Sequence, residues 1–180
     1  SYSDWEGIFY PENLGKKNYL AHYAKFFNIT EINFTYYRLP SPDIFEKIRK
    51  KVPDDFGFVV KLSKELTHER DKVESSVDQF REGIEPLVEN NQLITTLAQF
   101  PYSFKPSEEN FAHLKFLRKK MPDIPINVEF RNEYWIKEKT FDFLENHSLC
   151  YVCVYMPRFP HLVPPIIAAT TELGYIRFHG

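Results

Sequence analysis

Glycine is scarce, with six in 180 residues, and none falls in a G-x-G-x-x-G or G-K-[ST] pattern. A Rossmann dinucleotide site or a P-loop needs such a turn so that backbone N–H groups can approach phosphate, so neither is expected. No apolar run approaches the roughly 20 residues of a membrane span, and no basic-then-apolar start marks a signal peptide; the reading is cytoplasmic. Charge of one sign is missing too: 23 Lys and Arg stand against 25 Asp and Glu. No field covers the whole molecule to draw in nucleic acid or an anionic membrane, although a local basic pocket stays open. LRKK (117–120) and KIRKK (47–51) read as solvated helix ends, where cations favour the macrodipole. Cysteine is limited to Cys150 and Cys153. Their C-x-x-C spacing lies in LCYVCVY, a strand-like run in which residues three apart face opposite sides. With no second pair to complete a zinc site, both read as ordinary buried residues.

An apolar content of 43% and an aromatic content of 17% suit one sizeable core, and residues 1–180 read as a single domain. Helical periodicity over 16–27, 42–51, 75–90, 107–120 and 138–147 alternates with the β-rich runs ITEINFTYY, GFVVKLS, LITTLAQFP, IPINVEFR, LCYVCVYMP and LGYIRFHG. Such a βα series demands a parallel sheet. Without a glycine-rich first turn, a TIM-barrel-like parallel βα barrel is favoured over a doubly wound sheet. The proline-rich run 155–165 reads as irregular packing against the rim.

Parity within the strands points to a site. Glu31 and Asn33 alternate with Ile32 and Phe34, Lys61 with Val60 and Leu62, Gln99 with Ala98 and Phe100, Glu129 and Arg131 with Val128 and Phe130, and Arg177 and His179 with Ile176 and Phe178. In a barrel the apolar set faces the helices and the polar set faces inward, and such barrels build their sites at the C-terminal strand ends. The carboxylates of Glu31 and Glu129 and the cations of Lys61, Arg131 and Arg177 should therefore open to one cavity.

The segments DWEGIFYP, TEINFTYYRLP, FVVKLSKELTH, LAQFP, VEFRNEYW and YIRFHG, in that order, resemble the YecE-like family, known as domain of unknown function 72, along essentially the whole chain. The resemblance implies a TIM-barrel-like fold and a pocket location, and little about a substrate. The family normally begins with a strand ahead of the segment holding Trp5, Gly7, Phe9, Tyr10 and Pro11, and continues past the strand ending at His179. A family-like eight-stranded barrel would thus lack its first and last strands here. Many relatives carry acidic residues where Tyr155 and Met156 precede Pro157, so any acid chemistry placed there in relatives is put in doubt for this chain.

Three cations converging on one place make a small anionic metabolite, phosphorylated or carboxylated, the expected guest, because forked arginine donors match carboxylate and phosphate oxygens. Metal-independent acid-base chemistry would use Glu129 as base and Lys61 as proton donor or electrophile, with Glu31 as a second carboxylate and His179 as a proton carrier. Arg131 and Arg177 would clamp the anion, with Gln99 and Asn33 orienting it and His68 adding a further imidazole. Trp5, Tyr37 and Trp135 would supply aromatic walls. Three other readings compete. A metal-dependent hydrolase could draw ligands from Glu31, His68, Glu129 and His179, but the adjacent cations repel a dication, and no cofactor or metal is expected. A non-catalytic binding module uses the same residue types. Glycoside hydrolysis by Glu31 and Glu129 fits a cationic pocket less well.

Overall fold

In a computed structural model that describes residues 3–157 and 161–179, six parallel strands lie in chain order in one sheet: β1 (Ile29–Ile32), β2 (Gly57–Lys61), β3 (Leu93–Gln99), β4 (Ile126–Glu129), β5 (Leu149–Tyr155) and β6 (Tyr175–Phe178). The helices are α1 (Tyr19–Tyr23), α2 (Pro42–Arg49), α3 (Val73–Glu89), α4 (Glu108–Lys120) and α5 (Glu138–Asn146). Among the described residues, no helix is long and apolar enough to cross a membrane.

Local chemistry sets several boundaries. Pro42 opens α2, where its missing N–H costs nothing. The Ser107 hydroxyl caps α4 by accepting from the Asn110 N–H at 3.2 Å, with Glu108 and Glu109 in the first turn and Arg118 to Lys120 in the last. The strand expected through Tyr37 stops at Ile32. Asn33 adopts helical backbone angles, Phe34–Tyr36 form a 3-10 turn, and the Thr35 hydroxyl donates to the Lys61 carbonyl at 2.6 Å. The helix expected over 16–27 is likewise broken into a 3-10 turn at Lys16–Asn18 and the short α1.

The sheet is strongly curled. Five strand spacings of about 4.8 Å would hold β1 and β6 about 24 Å apart in a flat sheet. Yet Arg177 on β6 donates to both carboxylate oxygens of Glu31 on β1, at 2.7 and 3.0 Å. β1 and β6 are not neighbours in the strand order, so the curl is that of a half-barrel whose two edges are bridged by side chains.

Parity sorts the core into two layers. On the convex side Val60, Leu62, Ala98, Phe100, Val128, Phe130 and Tyr151 pack against Phe80, Ile84, Leu114 and Leu144 of the helices. Gly83 of α3 permits a close helix approach, since a Cβ there would lie 2.6 Å from the Pro40 carbonyl oxygen. On the concave side a smaller apolar cluster joins Val59, Leu97, Val152, Val154 and Met156. Cys150 and Cys153 fall on opposite faces as the strand period requires, both buried and unpaired. In the run 155–165, Val163 joins the outer core and Leu162 packs on the inner cluster; Arg158, Phe159 and Pro160 lie outside the described residues.

Candidate functional site

One pleat beyond the inner apolar cluster, at the C-terminal strand ends, the inward side chains become Lys61, Gln99, Glu129, Arg177 and His179, joined by Glu31 and Arg131. Arg177 is the hub. It donates to Glu31 through Nε and Nη2, to Glu129 Oε2 at 2.5 Å and to Gln99 Oε1 at 3.3 Å. Glu129 has no exposed surface. Arg131 Nε lies 2.7 Å from Glu129 Oε1, a contact of opposite charges that is not aligned as a hydrogen bond: this N–H and this carboxylate oxygen are both buried without a hydrogen-bond partner. Glu31 also accepts from Tyr175 at 2.6 Å and from Asn33 at 2.9 Å. Burial pushes the Glu31 carboxyl up, but donation from Tyr175 and Arg177 outweighs it and holds the group below the usual carboxylate range.

His179 sits 3.6 Å from Glu129 Oε1 and 3.4 Å from Arg131 Nη2. A guanidinium can only donate, so Nε2 accepts and the imidazole is neutral. Burial, then the charge on Arg131, moves its pKa down accordingly.

Lys61 differs from the two arginines. Its ammonium donates to Gln99 Oε1 at 3.0 Å and stands 4.7 Å above the Tyr36 ring; among the described residues no carboxylate lies within ion-pair distance of it. Burial is the largest influence on it, followed by the charge on Arg177, and its pKa is lowered. His68 flanks the same ring, with centroids 5.0 Å apart. Three cations thus face two carboxylates, with Lys61 carrying the surplus.

The remaining expectations divide. Trp5 stays near, lining with Glu31, Asn33 and Arg177 a cleft of about 800 Å³ along the seam between β1 and β6. Lys61, Gln99, Glu129 and Arg131 do not line that cleft, so the charged groups form one network without sharing that one cavity. Trp135 is not a pocket wall. It is fully buried in the outer layer, stacked on Phe130 and Phe104 at 4.2 and 5.3 Å, with its indole N–H on the Phe104 carbonyl. The 3-10 turn after β4, started by Asn132 accepting from the Tyr134 N–H, swings it outward. Tyr37 is 76% exposed and packs edge-on to Tyr36. Tyr36 and Tyr175 were missed. Tyr175 could have been found by parity, being two residues before Arg177 on the same strand. Tyr36 could not, because the turn that aims it replaces an expected strand.

As for a metal, no group of three or more His, Cys, Asp and Glu side chains able to hold an ion occurs among the described residues. The carboxylates of Glu31 and Glu129 are already bridged by Arg177, whose charge opposes a dication.

Comparison with known proteins agrees with this architecture. The chain is 31% identical to the UPF0759 protein YunF of Bacillus subtilis (strain 168), over 99% of this chain and 67% of that protein. A crystal structure of a DUF72 family protein from Thermotoga maritima MSB8 superposes with a TM-score of 0.90 at 41% identity, covering all of this chain and 71% of that one. One from Enterococcus faecalis V583 gives 0.85 at 28% identity, over 90% of this chain and 69% of that one. The family model described as protein of unknown function DUF72 matches residues 1–180, and the chain belongs to that family.

Proposed function

We propose that the concave face at the C-terminal strand ends binds a small anionic metabolite, carboxylated or phosphorylated, within a TIM-barrel-type architecture of which these six strands form the curled part. The observation that carries this reading is the surplus cation. Arg177 is saturated by two carboxylates and Arg131 faces Glu129 through Nε, whereas among the described residues Lys61 has a carbonyl oxygen and a ring but no carboxylate. A partly buried charge without a counter-charge, as on Lys61, is costly, and an anion placed beside Lys61 and the exposed end of Arg131 would offset that cost. A neutral sugar would not.

The test is thermal denaturation of the full chain with sulfate, phosphate and small carboxylates, alongside Arg131→Ala. A ligand at about 100 times its dissociation constant stabilises by about 2.7 kcal/mol, a shift of several degrees. Stabilisation of the native protein that the variant loses is expected. No response to any anion, or an equal response in the variant, overturns the reading.

A further inference from the structure

The geometry points to Lys61 as an imine-forming nucleophile for a small carbonyl compound bearing a carboxylate, a 2-oxo acid being the simplest. This deepens the anion-binding reading and rests on it. Imine formation needs an amine that is desolvated, free of a carboxylate and placed beside a proton carrier. Lys61 is partly buried at the end of β2, on the concave face, and among the described residues is held by Gln99 Oε1 and the Tyr36 ring. The guanidinium of Arg177 shares the same Gln99 oxygen and, with burial, favours the neutral amine.

His68 supplies the proton carrier, and its tautomer follows from a chain of hydrogen bonds. The Thr67 hydroxyl donates its one proton to the Ser63 carbonyl at 3.0 Å, so towards His68 Nδ1, 2.9 Å away, its oxygen can only accept. The imidazole proton is therefore on Nδ1, and Nε2 presents a lone pair. Burial and the charge on Lys61 keep this ring neutral by lowering its pKa.

In the step, the neutral Nζ lone pair forms a C–N bond to the carbonyl carbon, and the carbonyl π pair moves to oxygen. His68 Nε2 takes the proton that the ammonium gives up to free this lone pair and passes it to the oxygen; a second proton, released from nitrogen after the addition, follows the same route, and the oxygen leaves as water when the C–O bond breaks. The sum is an ammonium and a carbonyl giving a protonated imine and one water, with no change of oxidation state. Arg131, whose Nε faces Glu129 and whose side chain is 25% exposed, meets the substrate carboxylate through its terminal guanidinium nitrogens.

The experiment treats the full chain with borohydride in the presence of pyruvate, acetone or lactate, followed by intact mass and peptide mapping, with thermal shifts recorded for pyruvate and lactate. Expected is one reduced pyruvyl group on the Lys61 peptide, absent with lactate, much weaker with acetone, and lost in Lys61→Arg. His68→Gln should lower the trapping rate on the order of 10²-fold while leaving the pyruvate thermal shift in place. The shift of Lys61→Arg with lactate reports that this variant folds and still binds. A native protein stabilised by pyruvate yet carrying no adduct, or adducts spread evenly over many lysines, overturns the nucleophile and leaves the anion site standing. No thermal shift with either acid, together with no adduct, overturns both.

Discussion

The two faces of this one sheet solve burial in opposite ways. On the convex side Val60, Ala98, Val128 and their helix partners are apolar and fully buried, and each contact is non-directional. On the concave side the first pleat follows the same rule with Val59 and Leu97, but the next, about 7 Å along the strands, exchanges them for Lys61 and Gln99. Parallel strands covered on both faces are normally apolar on both. The outer layer thus carries the stability. The charged pleat depends on every member being present, since removing one leaves the others unpaired.

The contrast can be broken most sharply in the outer layer. Trp135→Ala should cost about 3–5 kcal/mol in chemical denaturation and leave anion affinity unchanged at temperatures where the variant is folded; a loss of affinity would return Trp135 to the pocket. Next, Arg177→Ala should destabilise by roughly 3 kcal/mol, the low end for a broken buried pair, because 15% of its side chain reaches solvent. Adding Glu31→Gln should recover part of that loss, since among the described residues Glu31 pairs with no cation other than Arg177, whereas Glu129 keeps Arg131. Additive losses would show that the network is not interdependent. Gly83→Ala tests the outer packing again, at about 1–3 kcal/mol, because the new methyl meets the Pro40 backbone.

Acidification probes the concave face through His179 and Glu31, while His113, packed on Phe100 and Phe104 of the convex layer and lowered by burial, adds its own loss near the upper stage. His179 has a folded pKa below its ordinary 6.5, depressed by burial and Arg131, so its contribution is present above pH 6.5 and is lost as pH falls through the folded value. Glu31, held below its ordinary 4.5, contributes above that value and loses its contribution as pH falls through its own folded pKa. Melting temperature against pH should fall in two stages, with Glu31→Gln reducing the lower one and His179→Asn the upper. At the smallest end, Lys50→Ala removes an ion pair to Glu46 from a side chain that is 64% exposed and should change stability by less than about 0.5 kcal/mol.

The convex face was legible in the sequence because strand period and helix period both report burial, as at Ile32, Val60, Ala98 and Val128; on the edge strand the same parity leaves Ile176 56% exposed. The same alternation put Glu31, Lys61, Gln99, Glu129 and Arg177 on one face, where they form a network without sharing one cleft. It could not say how they pair: that Arg177 takes both carboxylates and Lys61 none depends on the curl of the sheet, which no local pattern encodes. Aromatic residues were the least legible. Trp135, Tyr36 and Tyr37 all sit in or beside short 3-10 turns, where a displacement of one residue rotates a ring from pocket to core or to solvent.

The central claim is that Lys61 is the surplus cation awaiting an anion. Isothermal titration of lactate or sulfate into the full chain and into Lys61→Met tests it directly. Binding to the native protein is expected, with at least tenfold weaker affinity in the variant, about 1.4 kcal/mol or more; equal affinity in the two proteins would overturn that role for Lys61.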